Sequence, residues 1–287
     1  MQAVATPKST QGTLRIYALL ILPLPLLIVL GYLLPTLGVL GWSLSLPEVG
    51  LQNYATVLDS AAIQTVIWRT LRLCLLTTVI SVAIAYLIAF RWRFASARGR
   101  LLIELFVLLP FWLSMLIRAF AWLVLLRNDG LVNQSLLTLG LVDEPLALVR
   151  NELGALIGMV HFMVPYAVLP LLSSMRQVDD SLLRASSSLG AGRWQTLRDV
   201  FFPLTVPGVA AASATVFVFS LGCFVTPALL GGGKAAMLAE SIYIQMFQLS
   251  NWGLGATLSI VLMAMVAVCA VVFGKLVGFA RFTGRSA

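Results

Sequence analysis

The sequence predicts an all-α integral membrane protein that crosses the bilayer six times, and three observations predict it. Of 287 residues, 60% are hydrophobic and only 10% are charged, against about 25% charged residues in an average soluble domain. The apolar residues fall in runs that reach the roughly 20 residues a transmembrane helix requires. In lipid every backbone amide must be satisfied within its own segment, so such runs are helices. The short alternating segments of a transmembrane barrel do not occur in the sequence.

The first span is expected over 16–42 and carries Pro23, Pro25 and Pro35, which predict a kink. Lys8 and Arg15 precede it as they would a signal peptide. The run is too long for a signal h-region and no small-x-small cleavage site follows, so it is read as a retained span. The second span is expected over 68–90, the third over 102–126 and the fourth over 151–174. The fifth is expected over 202–228, opening at Pro203 in a first helical turn, and the sixth over 253–279. The intervening segments 45–66, 127–150 and 229–252 are long enough for short interfacial helices. The division is a tail 1–15, a first span with its following segment 16–65, a core 66–280 and a tail 281–287.

The formal charge of +8 would raise nucleic-acid binding in a soluble protein, but here the basic residues lie between apolar runs and set topology. One side receives Lys8, Arg15, Arg91, Arg93, Arg98, Arg100, Arg176, Arg184, Arg193, Arg198, Lys275, Arg281 and Arg285. The other carries fewer bases and most of the acids, among them Glu48, Asp59, Asp129, Asp143, Glu144, Glu152 and Glu240. Positive charge stays inside, so both termini are expected in the cytoplasm. Cys74, Cys223 and Cys269 lie in expected spans without metal-ligand spacing and read as small apolar residues. His161, the only histidine, lacks the partners a metal site needs. It is expected to be packed and hydrogen-bonded, with a gating role as the alternative.

The longest segment on the basic side joins spans four and five, about 176–203. Asp179, Asp180 and Ser181 offer N-cap oxygens for a short helix. Val178, Leu182, Ala185 and Leu189 recur at helical spacing as one apolar stripe. Gly190 can take the left-handed conformation that ends the helix, and a second turn follows with Trp194, Leu197 and Phe201. An amphipathic helix lying on lipid headgroups is one reading of this pattern.

The segment also resembles the EAA loop of ATP-binding-cassette importer permeases, written EAA-x3-G-x9-I-x-L-P. Arg184-Ala185-Ser186 occupies the EAA position, Gly190 the glycine, and Val200, Phe202 and Pro203 the I-x-L-P positions. Arg184 reverses the charge of the usual glutamate, which puts that contact in doubt, and Ser186 replaces the second alanine. Further matches extend the resemblance to the polyamine (spermidine/putrescine) type. They are Leu109-Pro110-Phe111-Trp112, Arg118-Ala119-Phe120-Ala121-Trp122, Asp129-Gly130-Leu131-Val132-Asn133, Pro165-Tyr166-Ala167-Val168-Leu169-Pro170 and Pro227-Ala228-Leu229-Leu230-Gly231-Gly232.

The resemblance implies the type I importer permease fold in an inner membrane. It implies a second, related permease chain, two ATP-binding subunits holding ATP and magnesium, and a periplasmic solute-binding protein. It makes 178–194 a coupling helix, with Asp180, Leu182, Arg184, Ala185, Ser186, Leu189, Gly190, Trp194 and Pro203 as the residues expected to transmit ATPase motion. No cofactor is expected on this chain. Gly231-Gly232-Gly233-Lys234 lacks the spacing of a phosphate loop and lies on the outer side, so ATP hydrolysis is assigned elsewhere.

For the cargo, an acidic outer face and pathway aromatics suit an organic cation. Trp112, Trp122 and Tyr166 are the candidate aromatics; the alternative is that they anchor spans at the interface. Arg118 lies inside span three, where a charge costs about 2.5–3.5 kcal/mol on insertion scales and is functional by default. It either meets an anionic or zwitterionic cargo, such as an amino acid or a phosphonate, or forms an ion pair with Glu240 or Asp129. Glu240 either receives cargo or is a solvated charge, and Asp129 and Tyr243 complete the candidate pathway. An intramembrane enzyme would need a paired-acid, zinc or serine–histidine constellation within the spans, and none is present. A channel or ion-coupled secondary transporter would show broken spans and carboxylates at the midplane.

Overall fold

The computed structural model describes residues 22–283, with side chains described through residue 275. The expected tails, the start of the first span over 16–21, and Lys8, Arg15, the Arg281 side chain and Arg285 lie outside the described residues. In chain order the helices are α1 Pro23–Ser45, α2 Gln52–Asp59, α3 Ala61–Arg93, α4 Ala97–Trp112, α5 Met115–Leu126, α6 Leu131–Thr138, α7 Glu152–Arg176, α8 Asp180–Ser188 and α9 Arg193–Thr196. A π turn, Leu197–Phe201, carries α9 into α10 Phe202–Leu221. Then come α11 Val225–Gly231, α12 Leu238–Tyr243, a second π turn Ile244–Gln248 and α13 Trp252–Thr283. The short helices α2, α6, α11 and α12 fall in or beside the segments expected to hold interfacial helices.

Among the described residues five helices are long and apolar enough to cross a membrane, α9–α10 counting as one, and a bent pair brings the number to six. That pair corrects the continuous third span expected over 102–126: α4 and α5–α6 meet at a bend of 101°. Pro110 lies in the last turn of α4, and Leu113 and Ser114 are extended, with ψ of 143° and 138°. A proline withholds its own amide and crowds the carbonyl four residues earlier, so the ladder fails here first.

The fifth span also differs. It runs from Arg193 to Leu221, so it starts nine residues before the expected 202 and ends seven before 228. Pro203 does not open it: the Phe202 N–H donates to the Leu197 carbonyl, five residues back, and the wider turn accommodates the proline without ending the helix. Cys223 consequently lies past the end of α10, buried but not inside a span.

Polar caps mark the helix starts. Ser60 accepts from the Ile63 N–H, Ser96 from Gly99, Asn151 from Gly154 and Asp179 from Ser181, each satisfying an amide that the helix itself leaves free. The core forms where α3, α7 and α10 cross. Ala85, Ala89, Ala167 and Ala212 are completely buried there, beside Met163, Leu171, Met175 and Val216. Small residues let helix backbones approach in lipid, where apolar burial gives no preference for helix over lipid. A Cβ on Gly208 of α10 would overlap the Ser174 side chain of α7, and one on Gly158 would overlap Leu230. Helix α1 packs along α13 at the edge of the bundle: Pro35 lies inside it without ending it, and only Ser43 is buried. It is fastened at its end, where Asn53 donates to the Leu46 carbonyl at 2.6 Å and Trp42 meets Trp252 edge-on at 5.7 Å.

The Gly208 contact gives an expected outcome. Gly208→Val forces α7 and α10 apart and destabilises the fold by about 1–3 kcal/mol, while Gly233→Ala, where a Cβ meets nothing within 4 Å, acts only through its backbone. Thermal unfolding of the purified protein in detergent checks this; equal midpoints for Gly208→Val and the parent would contradict the tight crossing.

Candidate functional site

The segment joining spans four and five folds as two short helices. Asp179 caps α8, its carboxylate accepting from the Ser181 N–H at 2.8 Å. That bond holds the Asp179 carboxyl below its usual range. The sign follows: the cap's contribution is present above the ordinary carboxylate range and is lost as pH falls through the lowered value. Gly190 ends the helix at φ +87°, a conformation that costs a side-chain-bearing residue about 1–2 kcal/mol. The Gly190 N–H donates to Ser187 O at 3.1 Å and the Ala191 N–H to Ser186 O at 3.2 Å, closing the last turn. Ser186, in place of the usual alanine, joins the two helices: its Oγ lies 3.0 Å from Thr196 Oγ1.

The expected apolar stripe divides. Val178 is buried in the span core, whereas Leu182 is 47% exposed, Leu189 89% and Trp194 77%. Leu182, Ala185, Ser186, Leu189, Gly190, Ala191, Gln195 and Val200 line an open groove of about 560 Å³. Arg184 is exposed beside it and Asp180 stands in the first turn of α8. Pro203 is exposed behind the π turn. This end of the molecule therefore presents an apolar, basic surface on a helix rigidly capped at both ends.

The candidate pathway residues fall into separate groups. Arg118 is only 8% exposed, and its guanidinium sits 4.4 Å from the centre of the Phe162 ring. Trp122 meets His161 at 5.5 Å, and these residues share a small cavity with Met115, Gly158 and Thr226. Tyr166, one turn from Phe162, packs against Phe162, Phe111 and Phe219 at 5.5, 5.2 and 5.0 Å. Trp112 is 82% exposed at the break between α4 and α5 and touches this group through Phe111. Asp129 is elsewhere, paired with Arg127 at 3.0 Å. Tyr243 packs between Phe224 and Phe247.

Two expectations about partners are corrected. Arg118 makes no ion pair with Glu240 or Asp129, and its Nε and Nη1 are without a hydrogen-bond partner; the Phe162 face stands where an anion was expected. His161 is packed but its Nδ1 is unpaired. Glu240 is not a solvated charge: it is 9% exposed in α12, and burial pushes its carboxyl above the usual carboxylate range. The broken span, expected of a different transporter class, is present, but no acidic residue lies between Glu104 and Asp129.

Sequence reasoning missed Phe111, Phe162 and Phe219, though Phe162 stands four residues before Tyr166 and so shares its helix face. It also missed the work of Asn133. This side chain is fully buried, donates to the Arg127 and Leu146 carbonyls at 3.1 and 3.0 Å and accepts from the Leu146 N–H at 2.8 Å. It ties the segment 127–150 into one loop.

Residues 79–280 match the family described as binding-protein-dependent transport system inner membrane component. The chain is 31% identical over 225 residues to the spermidine/putrescine transport system permease protein PotB of Haemophilus influenzae, covering 78% of each chain. It is 31% identical to the PotB protein of Escherichia coli, covering 78% of this chain and 82% of that one. Among solved structures, a bacterial alginate ABC transporter in complex with an alginate pentasaccharide-bound periplasmic protein aligns at a TM-score of 0.76 and 20% identity, over 98% of both chains.

Glu240 sets a pH-dependent outcome. A carboxyl raised by burial favours the protein below the ordinary glutamate range, and that advantage is lost as pH rises through the raised value. Glu240→Gln therefore raises the unfolding midpoint at pH 7 by a few degrees, on the order expected for about 1 kcal/mol, and the gain shrinks as pH falls. A midpoint lowered at pH 7 would show that the charged form is held by a partner.

Proposed function

The chain belongs to the binding-protein-dependent transport system inner membrane components, the multi-pass permeases of ATP-binding-cassette importers, and we propose that its cargo is a polyamine, putrescine or spermidine. The observation that carries the cargo is the 31% identity to spermidine/putrescine permeases over 78% of the chain. The aromatic group Phe111, Tyr166, Phe162 and Phe219, with Trp112 exposed beside it, is chemistry that holds an organic cation by ring-face attraction.

In this reading the basic end is cytoplasmic, both termini with it, by the positive-inside rule. The working core is 66–280. A second, related permease completes the pathway, and two ATPase subunits hold ATP and magnesium on the cytoplasmic side. A periplasmic binding protein delivers cargo to the segments 127–150 and 229–252, near Asp129, Glu240 and Tyr243. The groove of α8 and α9, with Leu182, Leu189 and Trp194 exposed and Gly190 in its left-handed turn, docks the ATPase. Nucleotide binding favours one of two arrangements of the spans, and the cargo's exposure switches between the two sides of the membrane.

Arg118 supports a second reading. A buried guanidinium with two unpaired nitrogens repels a dication and favours a carboxylate or phosphonate, so the same importer would then carry a zwitterion or an anion. ATPase activity of the assembled complex in lipid, measured with polyamines, amino acids and phosphonates in turn, separates the two. Stimulation by putrescine or spermidine alone supports the polyamine; stimulation by an anion or zwitterion instead overturns it. Arg118→Ala is expected to impair uptake more than Arg118→Lys, and wild-type uptake by both would remove Arg118 from the pathway. Gly190→Asp is expected to abolish uptake while the protein inserts normally, because space is open there and only the turn and the docking surface change. Normal uptake by that variant at normal expression would contradict the docking role.

A further inference from the structure

The α8 helix is joined to the spans by more than its chain connections. Arg93, in the last turn of α3, donates from Nε to the Met175 carbonyl at 3.2 Å and from Nη2 to the Val178 carbonyl at 3.1 Å. The same Nη2 pairs with the Asp180 carboxylate. Its side chain is 14% exposed. One guanidinium thus holds the last turn of α7, the turn that follows, and the first turn of α8. One of its acceptors, the Met175 carbonyl, lies in the last turn of α7, where an α-helix leaves carbonyls without internal partners, and another, the Val178 carbonyl, lies in the connection between α7 and α8. A planar guanidinium reaches several acceptors in fixed directions; an ammonium is a single point of charge.

The neighbouring residue extends the linkage. Trp92 is 5% exposed, and the guanidinium carbons of Arg100 and Arg176 lie 4.9 and 4.4 Å from its ring centre. Its Nε1 donates to Glu104 at 2.9 Å, and Arg176 lies 3.4 Å from the same carboxylate oxygen. Arg100 closes the end of α3 by donating to the Trp92 and Arg93 carbonyls at 3.3 and 3.0 Å. Helices α3, α4 and α7 therefore meet at Trp92, and α8 meets them at Arg93.

We propose that Arg93 is a positioning residue for energy coupling, the point at which displacement of α8 is delivered to spans two, three and four as one unit. The proposal rests on the reading of α8 as the ATPase-docking helix. Without Arg93, α8 keeps the short connection at 177–179, its contacts with α9 and the π turn, and the apolar contact of Leu183 with the span core, but loses the polar tie that fixes its first turn to α3.

The test compares Arg93→Ala and Arg93→Lys with the parent in the full complex of permeases, ATPases and binding protein. The first readout needs no cargo: amide hydrogen exchange over 178–191. Exchange there is expected to rise on the order of tenfold in Arg93→Ala, the change that corresponds to about 1.4 kcal/mol, and to rise less in Arg93→Lys. The second readout is spermidine moved per ATP hydrolysed in proteoliposomes, expected to fall on the order of tenfold in Arg93→Ala, with partial recovery in Arg93→Lys. Exchange and ratio both at parental values in Arg93→Ala would overturn the proposal, as would raised exchange with a parental ratio. Should Arg93→Ala fail to assemble, Arg93→Lys decides alone: parental exchange and ratio in that variant overturn it. A parent complex that hydrolyses ATP while importing neither spermidine nor putrescine refutes the polyamine cargo, and the exchange comparison still decides Arg93.

Discussion

The architecture depends on how closely the backbones of α3, α7 and α10 approach one another. In lipid, apolar side chains gain little by leaving hydrocarbon for protein, so packing and polar contacts select the arrangement. Ala85 and Ala89 on α3, Ala167 on α7, and Gly208 and Ala212 on α10 remove the bulk that would keep the axes apart. Two threonine hydroxyls of α3 bond to their own helix, Thr70 to Val66 O at 2.8 Å and Thr78 to Cys74 O at 2.7 Å, while the Ser81 hydroxyl donates across to the Val160 carbonyl of α7 at 3.4 Å. Thr70 Oγ1 also accepts from the Leu238 N–H at 2.9 Å, which sets α12 against the bundle.

Each end of the bundle is finished by arginines that cross between helices. At the acidic end Arg69 and Arg72 of α3 converge on Glu152 at the start of α7, and Arg69 reaches the Ala236 carbonyl at 3.4 Å. At the basic end Arg93, Arg100 and Arg176 serve carbonyls, Glu104 and the Trp92 ring. Helix α3 carries both sets, 33 residues long with an arginine group at either end. It acts as a rod against which the shorter, interrupted elements are held.

Much of this was legible in the sequence because lipid imposes long apolar runs, and a run of that length has one structural solution. The segment joining spans four and five was legible for a different reason. Its cap at Asp179 and its turn at Gly190 are local chemistry, and local chemistry survives the absence of tertiary information. The misreadings share a cause: each needed a partner that the one-dimensional pattern does not name. Pro110 inside an apolar run marks neither a kink nor a full break until Leu113 and Ser114 are seen extended. Pro203 reads locally as a helix start, and nothing in the pattern before it marks the π turn that carries the helix through. Arg118 was expected to seek an acid, and its neighbour is the face of Phe162. Leu182 and Leu189 recur as a buried face would, yet they are exposed, because an exposed apolar surface and a core surface are written with the same residues.

The π turn at Leu197–Phe201 has a geometric consequence. A wider turn holds one residue more than the helical ladder around it, and one residue corresponds to roughly 100° of rotation at 3.6 residues per turn. The azimuth of α10 is thereby offset from that of α9 within a single continuous rod. Which side chains α9 turns toward Ser186 and the groove, and which α10 turns toward Ser174 and the bundle, are consequently set by two phases a constant offset apart.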